Sequence, residues 1–258
     1  MTDSIINFYD ELAEDYHLIF IDWHESIARQ SEVLHNIIQS KLNLSCTDII
    51  RILDCSCGIG TQAIGLANYG YNVTATDLSA VSVKRAIKEA ANFGVKITFG
   101  VADFRTLHTD VSGIFNIVLS ADNAIPHLIS DEDLYQAFHN MHAKLDQNGL
   151  LIVTIRDYDA MVKKQITSTK PNVFDNGNRM AFQIYDWAQD GKTYTVHQFI
   201  MQRMNTGWKT KQYSTLYRAW LREELNKIMQ ATGFVNVEWH FPSQTGYYQP
   251  ILTARKVE

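Results

Sequence analysis

From residue 50 onward, short apolar runs of strand character alternate with longer stretches whose apolar residues recur at helical spacing. The pattern predicts strands over 50–54, 72–77, 96–101, 114–120 and 150–155, with helices over 61–69, 81–92 and 131–144 between them. Gly70 and Gly94 stop the first two helices, Ser79 is placed to cap the second, and Asn148-Gly149 turns the chain into the fifth strand. Strand and helix alternating at this spacing means a doubly wound parallel sheet, an α/β fold. The first forty residues instead read as helices, with Tyr9, Leu12, Ala13 and Tyr16, then Ile27, Val33, Leu34, Ile37 and Ile38 on apolar faces. An aromatic loop, Phe20-Ile21-Asp22-Trp23-His24, separates them, and a polar link over 41–48 leads into the first strand.

After residue 156 the rhythm changes to antiparallel strands over 180–187, 194–204 and 212–220, turned by Asp190-Gly191 and Thr206-Gly207. A helix over 221–232, stopped by Gly233, and strands over 235–239 and 248–253 complete seven strands of the main sheet. The expected organisation is one domain: a helical cap (1–48), a core (49–157 and 221–258), and a β-rich lid (158–220) at the edge where ligands bind.

Composition narrows the partners. The 258 residues carry a net charge of −5, with no basic run, which disfavours a nucleic-acid surface. No apolar run approaches a bilayer span, and the start of the chain lacks the charge and apolar core of a signal peptide, so a cytoplasmic, non-membrane protein is expected. Cys46, Cys55 and Cys57 are too few for a disulfide framework. In an extended turn Cys55 and Cys57 point apart, and no His or further Cys completes a metal set, so no metal is expected.

The chemistry concentrates at strand ends. The stretch Asp54-Cys55-Ser56-Cys57-Gly58-Ile59-Gly60 joins the first strand to the first helix, and glycine there lets a ligand approach the backbone. Asp54 suits an ammonium or hydroxyl better than a phosphate. Asp77, beside Leu78, ends the second strand, where a carboxylate can accept from a ribose diol. Asp103, beside Phe104, follows the third and can accept from an exocyclic amine. Each alone could be a turn former or cap; three in register form a pattern. The fit of Gly58-Ile59-Gly60-Thr61-Gln62-Ala63 to G-x-G-x-x-A also allows a nicotinamide enzyme, against which Asp54 counts.

Asp54 to Gly60, Asp77 and Ala102-Asp103-Phe104 resemble the motif set of class I S-adenosylmethionine-dependent methyltransferases. The resemblance covers 50–156, implies their Rossmann-like seven-stranded sheet, and implies S-adenosylmethionine as cofactor. Cys55, Ser56, Cys57 and Gln62 would then lie along the cofactor. Ser56 stands where the family commonly has Gly or Ala, slightly crowding the methionine end. Three further places resemble the glycine and sarcosine N-methyltransferase group: Ala121-Asp122-Asn123-Ala124-Ile125-Pro126-His127-Leu128, Arg156-Asp157-Tyr158-Asp159, and an N-terminal segment with Trp23 and Arg29. The resemblance implies that Arg29 binds the cofactor carboxylate, with Tyr16 and Trp23 near it. It also implies that Asn123 and Arg156 hold the acceptor's carboxylate, and that Ala121, Asp122 and His127 line the cofactor. Tyr185 and Tyr194 fall in the region of substrate-side tyrosines.

Bland readings stand beside these. Arg156 could pair with Asp157 or Asp159, and Arg29 could be an exposed ion-pair partner. Asn123 could be a turn residue, His127 could pack beneath a helix, and Trp23 and Tyr16 could be core. The expected reaction is methyl transfer to a small carboxylated amine such as glycine or sarcosine. O- or C-methylation of another metabolite, or a non-catalytic cofactor-binding module, stays open, as does an oligomer.

Overall fold

The computed structural model describes residues 2–42 and 49–257; Cys46 and most of the link before the first strand lie outside the described residues. After α1 (Thr2–Leu12) and α2 (Trp23–Lys41) come β1 (Arg51–Asp54), α3 (Thr61–Asn68), β2 (Asn72–Asp77), α4 (Ala80–Asn92), β3 (Thr98–Val101), α5 (Leu107–Asp110), β4 (Phe115–Ser120), α6 (Asp131–Lys144) and β5 (Leu145–Thr154). Then follow α7 (Tyr158–Lys164), β6 (Asn172–Phe174), β7 (Arg179–Trp187), β8 (Thr193–Met204), β9 (Gly207–Arg218), α8 (Arg222–Ala231), β10 (Phe234–His240), α9 (Pro242–Thr245) and β11 (Ile251–Lys256).

Seven strands form one sheet in the order β10-β11-β5-β4-β1-β2-β3. All its pairs are parallel except the two made by β11, which runs against both β5 and β10. The chain winds outward in two directions from β1 and β4, so the crevice between their carboxyl ends is where a ligand fits. The antiparallel β11 also departs from the all-parallel order of dinucleotide-binding sheets.

Strand alternation divides the core cleanly. Leu53, Val118, Leu151 and Val153 face α6 and α8, where Leu134, Phe138, Met141, Leu225 and Met229 complete one apolar cluster. Ile52, Ile117, Leu119, Leu150 and Ile152 face the other way, onto Leu34, Ile37 and Ile38 of α2 and Ala63 and Leu66 of α3. Period-two side chains on a sheet covered on both faces give this result.

Several boundaries differ from the sequence expectation. Trp23 opens α2 rather than ending a loop, because the Asp22 side chain accepts from His24 N and Glu25 N at 2.8 and 3.1 Å and caps the helix there. The lid has a fourth strand, β6, too short to show alternation. Strand β9 begins at Gly207, because the β8–β9 ladder runs without a break from Met204 and Gly207 to Thr193 and Arg218. The last strand begins at Ile251, not 248; Tyr247 and Tyr248 leave the ladder for the sheet's carboxyl edge.

The N-terminal segment crosses that edge between core and lid. Arg85 of α4 donates to the carbonyls of Ala13 and Glu14, both at 2.6 Å. From the lid, the buried Arg179 donates to the carbonyls of Leu18, Phe20 and Ile21. Lys211 and Tyr213 of β9 both reach the Asp15 carboxylate. Carbonyls of this segment are thus satisfied by side chains from two layers.

Contact between α2 and α3 depends on Gly65. A Cβ there would lie 2.5 Å from Ser31 Cβ and 3.0 Å from the Ile27 carbonyl. In an open helix Gly→Ala is favourable by up to about 1 kcal/mol, but here the added methyl overpacks the helix pair. Gly65→Ala is expected to destabilise by about 1–3 kcal/mol, read as a lowered denaturation midpoint. A midpoint equal to or above the parent's shows that the helices separate freely.

Candidate active site

Two cavities open at the carboxyl edge of the sheet. The first lies over β1, β2 and β3, and its lining includes Ser56, Gly58, Gln62, Asp77, Leu78, Ala102, Phe104 and His127. The second, about 700 Å³, lies between the N-terminal segment and the inner face of the lid, with Arg156, Gln183, Tyr185 and Tyr217 among its walls. Tyr9, Tyr16 and Asp122 line both, so the two spaces meet at these three residues.

The turn after β1 builds the first cavity. Gly58 and Gly60 have φ of 52° and 97°, in the left-handed region that glycine enters without strain. Gly58 faces open space, with nothing within 4 Å of an added Cβ. Asp77 ties this turn to β2, accepting from Gly58 N at 2.8 Å and from Ser79 N at 2.9 Å. Ser56 does not crowd the turn so much as stitch it: its hydroxyl sits 3.1 Å from Ser120 Oγ and accepts from Ala121 N, both at the end of β4. Cys55 and Cys57 are buried in clusters on opposite faces of the sheet, as diverging side chains require. Burial pushes both thiols up, which keeps them protonated. Among the described residues no group of His, Cys, Asp and Glu is arranged to hold a metal.

Asp54 is fully buried beneath this turn, outside the cavity lining. Its Oδ1 accepts from Ser56 N at 3.3 Å, and its Oδ2 has no hydrogen-bond partner. Burial pushes its carboxyl up to about 8, with Asp77 and Asp122 adding repulsion. Asp103 is engaged by Arg105, whose guanidinium also reaches Asp133 at 2.8 Å. Only its remaining lone pairs are open to a ligand.

Other expected residues fall elsewhere. Trp23 packs with Ile27, Ile59 and Ile64 and donates to Thr61 Oγ1 at 2.9 Å, bracing the start of α3 from behind. Arg29 is exposed and lines the second cavity, not the first. Gly60 is the N-cap of α3 and is absent from the lining. For Trp23 and Arg29 the reason is shared: α2 packs on α3, behind the turn, so its side chains reach the turn's back or the second cavity.

Asn123 and Tyr194 are buried scaffolding rather than cavity wall. Asn123 Oδ1 accepts from Arg156 N at 3.1 Å, and its amide donates to Tyr158 Oη at 3.1 Å. The Tyr158 and Tyr194 hydroxyls lie 3.0 Å apart. Through this chain Asn123 sets the backbone from which Arg156 projects. His127 lines the first cavity with Nε2 2.8 Å from the Tyr9 hydroxyl, and burial lowers it to about 3, so it is neutral near pH 7.

Arg156 is the half-buried cation of the second cavity, where Arg29 is exposed. It donates to Tyr185 Oη at 3.2 Å and Gln183 Oε1 at 2.7 Å, with the Tyr185 and Tyr217 rings 5.6 and 5.9 Å from its guanidinium carbon. Asp157 and Asp159 pair instead with Arg222, at 2.6 and 3.4 Å. Among the described residues no carboxylate lies within salt-bridge distance of Arg156, so its charge is met by neutral groups alone. Sequence spacing gave no sign of Tyr9, Gln183, Tyr217 or Tyr248, which come together here from distant parts of the chain.

Comparisons with known proteins agree with the fold that carries this site. Residues 52–149 match the family model described as a methyltransferase domain. A glycine/sarcosine N-methyltransferase of Halorhodospira halochloris is 24% identical over 213 residues, 78% of this chain and 73% of that protein. One of Parasynechococcus marenigrum is 31% identical over 125 residues, and there the chain spans only 44% of the relative's length. Among solved structures, an S-adenosylmethionine-dependent methyltransferase from Clostridium acetobutylicum superposes with a TM-score of 0.75 at 16% identity, over 97% of this chain and 99% of that one. An amino pentose methyltransferase from Micromonospora echinaspora gives 0.70 at 17% identity, over 95% of each.

The buried Asp54 also predicts a pH dependence. Its folded value of about 8 lies above the ordinary 3.8, so the folded state holds a proton that the unfolded state has released between them. Stability from this group therefore falls as pH rises through that window. Asp54→Asn is expected to raise the melting temperature of the ligand-free protein at about pH 8.5 and change it far less at about pH 5. Equal melting at the higher pH contradicts the burial penalty.

Proposed function

We propose that this chain, a class I S-adenosylmethionine-dependent methyltransferase, transfers its methyl group to the nitrogen of a small amine that also carries a carboxylate. The observation that carries this reading is Arg156: a guanidinium on the wall of the second cavity whose hydrogen-bond partners are both neutral. A planar fork in a partly dry pocket suits a carboxylate bidentately. The names of the glycine/sarcosine N-methyltransferase relatives support the amine. A cavity of about 700 Å³ also has room for acceptors larger than glycine.

The first cavity fits the methyl donor. Asp54 Oδ2 has no partner beneath the turn, and a cofactor ammonium above it, reached through water, would favour the ionised carboxylate. Asp77 stands at the end of β2 to accept from ribose hydroxyls, with Leu78 and Phe104 as apolar walls for the base. When bound, the cofactor supplies an electrophilic methyl on a positively charged sulfur. The chain's own contribution is alignment and exclusion of water: the N-terminal segment roofs both cavities, and Tyr9 and Tyr16 border their junction.

The test is a panel of amino acids, amines without a carboxylate, and phenols, incubated with labelled methyl donor and followed by mass analysis. Methylated carboxylated amines are the expected products. Arg156→Ala is expected to raise KM for them about ten- to a hundredfold, the loss of a charge-assisted hydrogen bond of about 1.5–3 kcal/mol, with cofactor affinity unchanged. Unaltered KM for every carboxylated acceptor removes the clamp; methylation of phenols alone removes the amine.

A further inference from the structure

An amine with an ordinary basicity enters as an ammonium, which has no lone pair to attack with. One proton must leave before methyl transfer, and the receiving group must sit where the nitrogen meets the methyl. Tyr9, Tyr16 and Asp122 are the residues that line both cavities. Tyr9 and Tyr16 are both raised well above ordinary phenols, chiefly by burial, and stay protonated near pH 7. Asp122 is the remaining one of the three and carries a carboxylate.

Its placement is enforced. Asp122 and Asn123 are consecutive non-glycine residues in the left-handed region, with φ of 56° and 67°. Such backbone is held against an intrinsic cost and clusters at functional sites. Here the hold comes from β5: Asp122 N donates to Thr154 Oγ1 at 2.8 Å, and Asn123 N to the Thr154 carbonyl at 3.1 Å. The reversal swings the Asp122 side chain into the junction. Tyr16 donates to Oδ2 at 3.4 Å from the N-terminal segment, and Tyr248 donates to Oδ1 from the loop before β11.

We infer that Asp122 is the proton acceptor of the reaction, taking the ammonium proton of the acceptor at the point where the two cavities meet. The inference rests on the amine reading above. An N–H bond breaks and its proton passes to an Asp122 oxygen; the freed lone pair forms the N–CH₃ bond while the CH₃–S bond breaks with its electrons going to sulfur. The methylated product carries the positive charge, and Asp122 then returns its proton to solvent. Four other groups face the carboxylate: Gln62 of α3, Tyr247 and Tyr248 before β11, and Tyr16. Asp54 lies near enough beneath to repel it, and Arg156 shares its cavity. Burial raises the Asp122 carboxyl, and the hydrogen bonds from Tyr248, Gln62 and Tyr16 pull it back in part. A base raised toward neutrality is the better match for this transfer.

Asp122→Asn keeps the shape and removes the base. On an acceptor found in the panel, kcat of the variant near neutral pH is expected to fall about 10²–10⁴-fold. The deficit should shrink about tenfold per pH unit as the free amine becomes abundant, because the variant then needs no acceptor. Calorimetry should give an S-adenosylmethionine Kd within about threefold of wild type, about 0.7 kcal/mol. A variant with near-normal kcat, or with a deficit constant across pH, overturns the inference. So does weakened cofactor binding with an unchanged pH profile, which assigns Asp122 to the cofactor's ammonium. Wild type that methylates no amine overturns the parent reading and this inference together; an active wild type with an equally active variant overturns this one alone.

Discussion

The hydrogen bonds that hold the N-terminal segment across the sheet's carboxyl edge decide whether this protein has a site at all. A doubly wound sheet presents an open edge there, and a turn alone cannot keep water away from a reaction. Arg85 from the core and Arg179 from the lid grip carbonyls of one short stretch, residues 13–21, from opposite sides. Each such charge-assisted bond is worth about 1.5–3 kcal/mol, so the segment is held in place while both arginines are present. Tyr16 rides on this stretch and Tyr9 on α1 before it, and through them the N-terminal segment becomes wall as well as roof.

Charge is distributed unevenly between the two cavities. Acids gather at the ends of β1, β2 and β4: Asp54 buried below, Asp77 holding the turn, Asp122 at the junction. Arg156, just past β5, lines the other cavity without an acidic salt-bridge partner among the described residues, because Arg222 takes the acids that follow it. A cationic donor and a zwitterionic acceptor would each find their opposite charge on the correct side. Neutral His127, buried between Tyr9 and Tyr217, adds packing without a competing charge.

Much of the scaffold was legible before any coordinates. The strands of the main sheet announced themselves because each alternates within a few residues, and their order of hydrophobic runs matches the two apolar clusters. The glycine turn and the strand-end acids were also visible, since topology alone carries them to one edge. Less was visible in the lid, where a three-residue strand has no period to detect and the hairpin register ran five residues past the expected start. Trp23 and Arg29 were named as cofactor contacts from resemblance; their helix packs behind the turn, which a linear reading does not reveal.

The sequence by itself determined the α/β class, the glycine turn after β1, and the acids at the first three strand ends, because periodicity and turn chemistry act over neighbouring residues. Tertiary structure decided which side chains became site and which became support. Tyr9, Asp122, Arg156, Tyr217 and Tyr248 meet from both ends and the middle of the chain. Asn123 and Tyr194, read as substrate contacts, turned inward to hold Arg156 and its tyrosines. Whether a polar side chain faces a ligand or a neighbour depends on which distant donors and acceptors arrive beside it, and no local spacing encodes that.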